Sequence, residues 1–245
     1  MRNRLERLRG KVSDWLVLLR PASPLFVADQ RFLRRLRRQG FRARVIYDIG
    51  ASTGVWSETM LSVFPEARCH LFEPLASHPV YASALEQRRA RLPQLILHPI
   101  ALGDADAEEI LAVAEDGFGS SLHDRGDLPQ IRERLPVPVR RLDAYVHERS
   151  LEPPDIIKID TQGFEAAILR GGTETIRQAG AVLVEIWLER EYGPRTPLAE
   201  EIIGALKPLG FVLVDFGDRF WDECGRLYSI DGHFLKEELA ARFRR

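Results

Sequence analysis

The chain has 245 residues, of which 45% are apolar and 29% are charged, and its formal charge is -1. This length accommodates one large α/β domain with an appendage, and the composition excludes a largely disordered or fibrous protein. The balanced total conceals an asymmetry, because residues 1–44 hold 13 Arg and Lys against 3 Asp and Glu, whereas residues 45–245 hold 22 against 33. We therefore expect a basic N-terminal extension over residues 1–44 and an acidic main domain over residues 45–245.

Cellular location is predicted from the cysteines and the apolar segments. Cys69 and Cys224 can form at most one disulfide, and a chain of this size does not need one, so we expect two reduced thiols. The apolar run 15–19 is too short for a signal peptide, and no stretch approaches the roughly 18 apolar residues that span a bilayer. The sequence predicts a cytoplasmic protein, with association to the inner face of the membrane as an open alternative.

The basic extension has the pattern of two amphipathic helices. Apolar residues recur every three or four positions from Leu5 to Leu19, and a second helix is predicted over residues 29–39. The apolar stripe suits packing on the main domain or a partner subunit, or a peripheral contact in which the basic face meets anionic lipid. Nucleic acid is not an expected partner, because the segment lacks interleaved aromatic residues and the rest of the chain is acidic.

Strand and helix patterns alternate through the main domain, which indicates an α/β fold with a mostly parallel sheet and helices on both faces. The predicted strands cover residues 45–49, 69–72, 95–102, 137–142, 155–160, 181–187, 211–216 and 226–235, and Pro138 favours an edge position for the strand at 137–142. A hairpin between the last two would add an antiparallel strand. The alternation weakens over residues 104–136, where glycines and polar residues predict an irregular insertion near the active face.

A glycine turn follows the first strand, with the sequence Asp48-Ile49-Gly50-Ala51-Ser52-Thr53-Gly54. Such a turn lets a ligand approach the backbone closely. It departs from the dinucleotide pattern because Ser52 replaces the middle glycine, and Asp48 disfavours a phosphate electrostatically. Glu73 ends the second strand, where a doubly wound fold places an acidic side chain against ribose hydroxyls. Together these features predict a pocket for S-adenosylmethionine, which presents adenosine, an amino group and a sulfonium cation.

The segment Lys158-Ile159-Asp160-Thr161-Gln162-Gly163-Phe164-Glu165 adds a specific signature, and with it the chain resembles FkbM-type methyltransferases over about residues 45–235. Further matching positions are Ala101-Leu102-Gly103, Ser120-Ser121-Leu122, Arg141-Leu142-Asp143 and Asp231. Ser52 stands where that family usually has Asn. The resemblance implies a class I, Rossmann-like fold with a seven-stranded sheet and an antiparallel last strand.

The resemblance also implies an activity and a set of cofactor contacts. It implies an S-adenosylmethionine-dependent O-methyltransferase that acts on hydroxyls of sugars, glycans or related natural products, like the members of that family. By position, the glycine turn would line the methionine part of the cofactor, Glu73 its ribose, and the Gly103-Asp104 turn its adenine edge. The residues of the glycine turn that carry this assignment are Asp48, Gly50, Ser52 and Gly54.

Methyl transfer to a hydroxyl is an in-line displacement that requires alignment of the reacting atoms and removal of one proton. Asp160 is predicted at the carboxyl end of a parallel strand, where it suits a general base or a ligand of a divalent cation such as Mg²⁺. Glu185 ends the next strand and is a second candidate metal ligand or a substrate-binding residue. Glu165, one turn into the following helix, is a further catalytic candidate, and Lys158 is expected in a structural ion pair.

The remaining candidates come from the polar insertion and from the Lys158–Glu165 segment. His123 of the insertion is a third catalytic candidate, because an imidazole ordinarily titrates near neutrality. Ser121 of the insertion and Gln162 of the segment are candidates for binding the acceptor. Zinc is not expected, because no two histidines have the helical spacing of a zinc site and no Cys-x-x-Cys occurs. Two other functions stay open: a non-catalytic module that holds a ligand on a methyltransferase fold, and a nicotinamide-dependent oxidoreductase. The oligomeric state also stays open, with a dimer as one alternative.

Overall fold

A computed structural model describes residues 26–79, 81–115, 119–123 and 131–243. The predicted amphipathic helix over residues 5–19 lies outside these ranges. The strands, in chain order, are β1 (Val45–Ile49), β2 (Arg68–Phe72), β3 (Leu95–His98), β4 (Ala101–Gly103), β5 (Ala107–Ala114), β6 (Ile131–Arg141), β7 (Ile156–Ile159), β8 (Ala181–Trp187), β9 (Phe211–Trp221) and β10 (Leu227–Lys236). The α-helices are α1 (Val27–Arg38), α2 (Val55–Leu61), α3 (Ala82–Arg91), α4 (Leu142–Glu148), α5 (Glu165–Gly171), α6 (Thr173–Gln178), α7 (Ala199–Leu206) and α8 (Glu237–Phe243).

Seven of these strands form one sheet in the order β3-β2-β1-β7-β8-β10-β9. The first five run parallel, β10 runs antiparallel to β8, and β9 runs antiparallel to β10. The central strands β1, β7 and β8 are apolar runs buried along their whole length, as expected for parallel strands covered on both faces. The predicted mostly parallel seven-stranded sheet with an antiparallel last strand is confirmed.

The core is divided into two buried clusters, one on each face of the sheet. Successive residues of a strand point to opposite faces, and β1 shows this directly. Ile46 belongs to the cluster that α1, α2 and α3 cover, whereas Val45 and Tyr47 belong to the cluster that α4, α5, α6 and α7 cover. Each fully buried large apolar side chain stabilises the fold by about 1.5–3 kcal/mol relative to an exposed one.

The segment that follows β3 differs from the predicted single strand over residues 95–102. The chain breaks at Pro99, so that β3 pairs with β2 while β4 pairs with β6 in a separate sheet of order β4-β6-β5. Within the described residues, the region expected to be an irregular insertion therefore contains a regular antiparallel pair, β5 and β6. Pro138 does not disrupt β6, because β4 pairs only with its last three residues and leaves β5 as the neighbour at Pro138.

The second predicted helix of the basic extension is present as α1, and it packs into the core. Phe32, Leu33 and Leu36 are buried against the sheet, and the buried carboxylate of Asp29 accepts a hydrogen bond from Trp56. The arginines lie on the remaining, exposed face. In the described part of the chain, no helix combines the length and apolar character needed to cross a membrane.

Candidate cofactor and acceptor site

The carboxyl ends of the parallel strands converge at the edge of the sheet where the glycine turn lies. Gly50 (φ +79°) and Gly54 (φ +78°) both adopt left-handed backbone conformations. A Cβ atom at Gly50 would lie 1.9 Å from the carbonyl oxygen of Asp160, so no other residue fits there. Gly54 is the N-cap residue of α2. The turn after β1 is thereby pressed against the residue that follows β7.

Asp48 lies behind this turn and has no exposed surface. One oxygen, Oδ2, accepts a hydrogen bond from the Ser57 hydroxyl at 2.8 Å, and the other, Oδ1, lies 3.6 Å from Nζ of Lys158. Burial raises the pKa of Asp48, and Lys158 and Ser57 oppose that rise. A side chain in this position acts on a bound cation through its charge and by fixing Lys158, not by direct contact.

Lys158 is the buried cation of the site. Its ammonium group lies 3.1 Å from Oδ2 of Asp160 and 5.8 Å from the ring centre of Trp56. Burial alone lowers the pKa of Lys158, but the carboxylates of Asp160 and Asp48 outweigh burial and hold the pKa above its usual value. Burial likewise raises the pKa of Asp160, but the charge of Lys158 and the hydrogen bonds from Gln162, Lys158 and Glu185 together hold that pKa below its usual value. The expected structural ion pair of Lys158 is present with two partners.

Gln162 connects the ends of β7 and β8. Its amide nitrogen donates to Oδ1 of Asp160 at 2.9 Å and to Oε2 of Glu185 at 3.0 Å. Its amide oxygen accepts a hydrogen bond from the Tyr192 hydroxyl at 2.5 Å. Glu185 also accepts from Ser229 at 3.0 Å, and burial, followed by the charge of Asp160, raises the pKa of Glu185 well above its usual value. Asp160, with 31% of its side chain exposed, is the accessible carboxylate of this group.

The loop that carries Gln162 is held in an unusual conformation. Gln162 has a φ of 57°, a left-handed value that costs on the order of 1–3 kcal/mol for a residue other than glycine. Glu165 offsets this cost, because its Oε1 accepts hydrogen bonds from the backbone N–H groups of Thr161 and Gly163, both at 3.0 Å. Glu165 has no exposed surface, and burial raises its pKa to about 7. Its contacts are those of a residue that fixes the loop.

Ser121 and His123 bring the second sheet to the same loop. The Ser121 hydroxyl donates to the carbonyl oxygen of Gln162 at 2.6 Å and accepts from the backbone N–H of His123 at 2.9 Å. The His123 ring is buried beside Phe164, and its Nδ1 has no hydrogen-bond partner. Burial, followed by the charge of Arg195, lowers the pKa of His123 to about 4, so the imidazole is neutral at pH 7.

Glu73 lies on the other side of the glycine turn, at the end of β2. Its Oε2 accepts the backbone N–H of Ser52 at 2.7 Å, and its Oε1 accepts the backbone N–H of Leu75 at 2.8 Å. Burial raises the pKa of Glu73 to about 7. The carboxylate therefore fixes the turn, and its role as the acceptor of ribose hydroxyls stays a prediction.

Gly103 and Asp104 occupy a different environment from the other candidates. A Cβ atom at Gly103 would meet Val139 and Phe164, and Asp104 pairs with Arg170 of α5 at 2.8 Å in an exposed position. These contacts place the two residues at the junction between β4 and α5. Their predicted role at the adenine edge stays a prediction.

The structure also brings in residues that the sequence did not single out as site residues. Tyr192 follows β8 in a polar segment with no recognisable pattern, and only the fold shows that its hydroxyl reaches Gln162. Ser229 of β10 reaches Glu185 because the two strands are antiparallel neighbours. Asp231, opposite Glu185 in the same register, has its pKa raised well above its usual value by burial and by Asp29.

The residues around the turn fit S-adenosylmethionine. Oδ1 of Asp48 and Oγ of Ser52 are buried polar atoms without a hydrogen-bond partner, and the nearby carboxylates outnumber Lys158. A cationic cofactor supplies the missing positive charge. A metal ion finds no comparable site, because no three His, Cys, Asp or Glu side chains among the residues that the structure describes form a group that could hold one. Between Asp160 and Glu185 lies the amide nitrogen of Gln162.

Residues 48–213 match a family model described as the methyltransferase FkbM domain. A curated relative, the 2-O-methyltransferase NoeI of Sinorhizobium fredii (strain NBRC 101917 / NGR234), is 29% identical over 172 residues, covering 63% of this chain and 68% of that protein. The AMB antimetabolite synthetase AmbE of Pseudomonas aeruginosa is 28% identical over 207 residues, covering 68% of this chain but only 9% of that protein. The crystal structure of methyltransferase FkbM from Methylobacillus flagellatus KT has a TM-score of 0.49 at 16% identity, covering 79% of this chain and 44% of that one.

Proposed function

Because this chain belongs to the FkbM methyltransferase family, we propose that it transfers a methyl group from S-adenosylmethionine to a hydroxyl of a sugar, a glycan or a related natural product. Oxygen as the accepting atom is supported by the relative named as a 2-O-methyltransferase, which is 29% identical. The sugar or natural-product class rests on the resemblance of the Lys158–Glu165 segment to the family. Within this class of function, the residues at the carboxyl ends of β7 and β8 carry the argument.

The observation that carries the proposal is the arrangement of Asp160, Gln162 and Glu185. Of the two carboxylates, Asp160 is the exposed one, and Lys158 together with its hydrogen bonds holds its pKa low, so it is ionised at neutral pH. An ionised carboxylate accepts a hydrogen bond from an alcohol and orients its oxygen. Gln162 keeps Asp160 in place through its amide nitrogen. This is a site that positions a hydroxyl, next to a turn that fits the cofactor.

Each residue then has a defined task in the reaction. When bound, S-adenosylmethionine supplies an electrophilic methyl group on a sulfonium. Asp160 orients the acceptor hydroxyl and takes up its proton as the oxygen loses electron density during the transfer. His123 is the other predicted candidate for that proton, but burial lowers the pKa of its imidazole to about 4 and its unpaired Nδ1 is enclosed, so we assign the proton to Asp160. Glu165 contributes by holding the loop, because it has no surface through which to touch an acceptor.

The proposal is tested by measuring S-adenosylhomocysteine release with a panel of sugars, oligosaccharides and polyketide-like alcohols. We expect turnover with at least one hydroxyl acceptor and a loss on the order of 100-fold or more in Asp160→Asn, the scale of an acid–base contribution. The matched control is Asp215→Asn, because Asp215 is an exposed aspartate of the edge strand β9. Product without an O-methyl group, or equal activity of the two variants, contradicts the proposal.

The alternative function is a non-catalytic module that binds ligand on the same fold. Calorimetry and the release assay together distinguish the two functions. A non-catalytic module binds S-adenosylmethionine in calorimetry but releases no S-adenosylhomocysteine with any acceptor. A divalent cation at Asp160 and Glu185 stays a prediction, and full turnover in EDTA would assign Asp160 to orientation and proton transfer instead. Membrane contact through residues 1–44 and a cytoplasmic location also stay predictions.

A further inference from the structure

Four arginines line one cleft at the C-terminal end of α1. Arg34, Arg37 and Arg38 come from the helix, Arg42 comes from the segment that leads into β1, and the cleft has a volume of about 370 Å³. All four side chains are exposed to solvent. The cleft is therefore an open, strongly positive concavity on a chain whose net charge is -1.

Two of the four guanidinium groups are fixed by the backbone. Arg37 donates to the carbonyl oxygen of Val63 at 2.6 Å, and Arg42 donates to the carbonyl oxygens of Arg37 and Phe41 at 3.1 and 3.0 Å. These bonds use one nitrogen of each guanidinium and leave other N–H groups of the same fork for a ligand. The cleft is thus built before any ligand arrives.

The other two arginines have no such anchor. In the described part of the chain, neither Arg34 nor Arg38 forms an ion pair, and neither do Arg37 and Arg42. Arg34 and Arg38 are four residues apart on one helix face, a spacing at which like charges repel. By contrast, Arg35 on the same helix is used for packing, since it donates to the carbonyl oxygen of Phe243 and lies over that ring.

The helix dipole explains only part of this arrangement. Basic residues in the last turn of a helix are favourable, which accounts for Arg37 and Arg38. It does not account for Arg42, which lies beyond the helix, or for Arg34, which lies a turn earlier. Among the described residues, four cations and no carboxylate line this cleft, and an anion that enters it stabilises them because it offsets their mutual repulsion.

We propose that this cleft binds a ligand that carries two adjacent phosphate groups. Guanidinium forks match phosphate oxygens in two parallel hydrogen bonds, which a single point charge does not provide. One phosphate monoester carries a charge of about -1.5 to -2 at pH 7, which balances at most half of the four positive charges. A diphosphate balances most of them. The cleft is adjacent to the amino end of β1, whereas the methyl-transfer site lies at the carboxyl ends, so this binding is independent of the proposed function.

Calorimetry on the full chain with inorganic pyrophosphate and with orthophosphate tests the proposal. We expect pyrophosphate to bind at least tenfold more tightly than orthophosphate, and the Arg34→Ala/Arg38→Ala double variant to lose at least tenfold in pyrophosphate affinity. The matched control is Arg89→Ala/Arg132→Ala, which removes the same charge from two exposed arginines elsewhere. The test variant keeps the anchored Arg37 and Arg42, and the folding of both variants is checked by circular dichroism.

Two sources of the ligand are separated by a second measurement. Phosphatidylcholine vesicles with and without farnesyl diphosphate are sedimented with the protein, and pyrophosphate is added as a competitor. Sedimentation that requires the lipid diphosphate and is displaced by pyrophosphate supports a lipid-borne ligand, while calorimetric binding without sedimentation supports a soluble one. The proposal is overturned if neither probe binds, if orthophosphate binds as tightly as pyrophosphate, or if the control variant loses as much affinity as the test variant.

Discussion

Replacement of Asp29 by alanine is expected to be among the most destabilising single changes in α1. Asp29 is 3% exposed, its Oδ2 accepts the indole N–H of Trp56 at 2.7 Å, and its Oδ1 lies 2.7 Å from Nε2 of His233. These bonds tie α1 to α2 and to β10, which are far apart in sequence. The Asp29→Ala variant removes the acceptor of both and leaves the two partners buried.

The magnitude follows from the two orphaned groups. A buried polar group left without its partner costs about 1–3 kcal/mol, so the pair predicts a loss of roughly 2–6 kcal/mol in the free energy of unfolding. Domains of this kind are stable by about 5–15 kcal/mol, so the loss is a large fraction of the total. Asp155→Ala is the matched control, because Asp155 also accepts two N–H groups, those of Arg44 and Val45, at 2.7 and 3.0 Å.

The Asp155 control differs from Asp29 in exposure. Arg44 is exposed and Asp155 is partly so, and water therefore replaces part of what is lost. We expect a loss of about 1 kcal/mol for this control. Urea unfolding followed by circular dichroism measures both variants, provided that the slope against urea is unchanged. Equal losses in the two variants, or a loss below about 1 kcal/mol for Asp29→Ala, would refute the argument from buried hydrogen bonds.

Three further outcomes are expected. Gly50→Ala should abolish S-adenosylmethionine binding in calorimetry, because its new Cβ atom has no space. Gly204→Ala is the control and should bind normally, because no atom lies within 4 Å of its new Cβ atom. Retained binding in Gly50→Ala would contradict the turn geometry. The pKa of Glu165 is raised from 4.5 to about 7 in the folded protein, so stability is lost as pH rises through that interval. Between pH 4.5 and pH 8, the free energy of unfolding of the wild type, measured with urea, should therefore fall by roughly 3 kcal/mol relative to that of Glu165→Gln. A pH-independent difference would contradict the buried carboxylate. Tyr192→Phe should lower kcat/KM for the acceptor about tenfold, the worth of one hydrogen bond, without changing cofactor affinity, and an unchanged kcat/KM would show that the hydroxyl of Tyr192 does not position Gln162.

The central sheet could be predicted from the sequence because its strands have a local signal. β1 and β8 are short runs rich in β-branched residues and end at polar or glycine-rich turns, a pattern that determines their type without tertiary information. The break at Pro99 was not predictable in the same way. Residues on both sides of it are apolar and strand-like, and only pairing with different partners divides them into β3 and β4.

The candidate site was predictable to the extent that it lies at strand ends. Asp160 follows β7, and Glu185 lies near the carboxyl end of the adjacent parallel strand β8, so topology alone brings them close, and the structure connects them through Gln162. Tyr192 could not be found in this way, because its contact depends on the path of a loop. The exposure of each carboxylate could not be predicted from the sequence either, and exposure is the property that distinguishes the accessible Asp160 from the enclosed Glu165.

Helix α5 has a mechanical consequence for the site. At its C-terminal end, a Cβ atom on Gly171 would lie 1.8 Å from the carbonyl oxygen of Gly103, so the helix and β4 touch backbone to backbone. At its N-terminal end, Glu165 accepts hydrogen bonds from the backbone of the loop that carries Gln162. A helix of seven residues is about 10 Å long and stiff. Because α5 contacts both β4 and the loop that carries Gln162, we expect a displacement of the small sheet to move Gln162 as well.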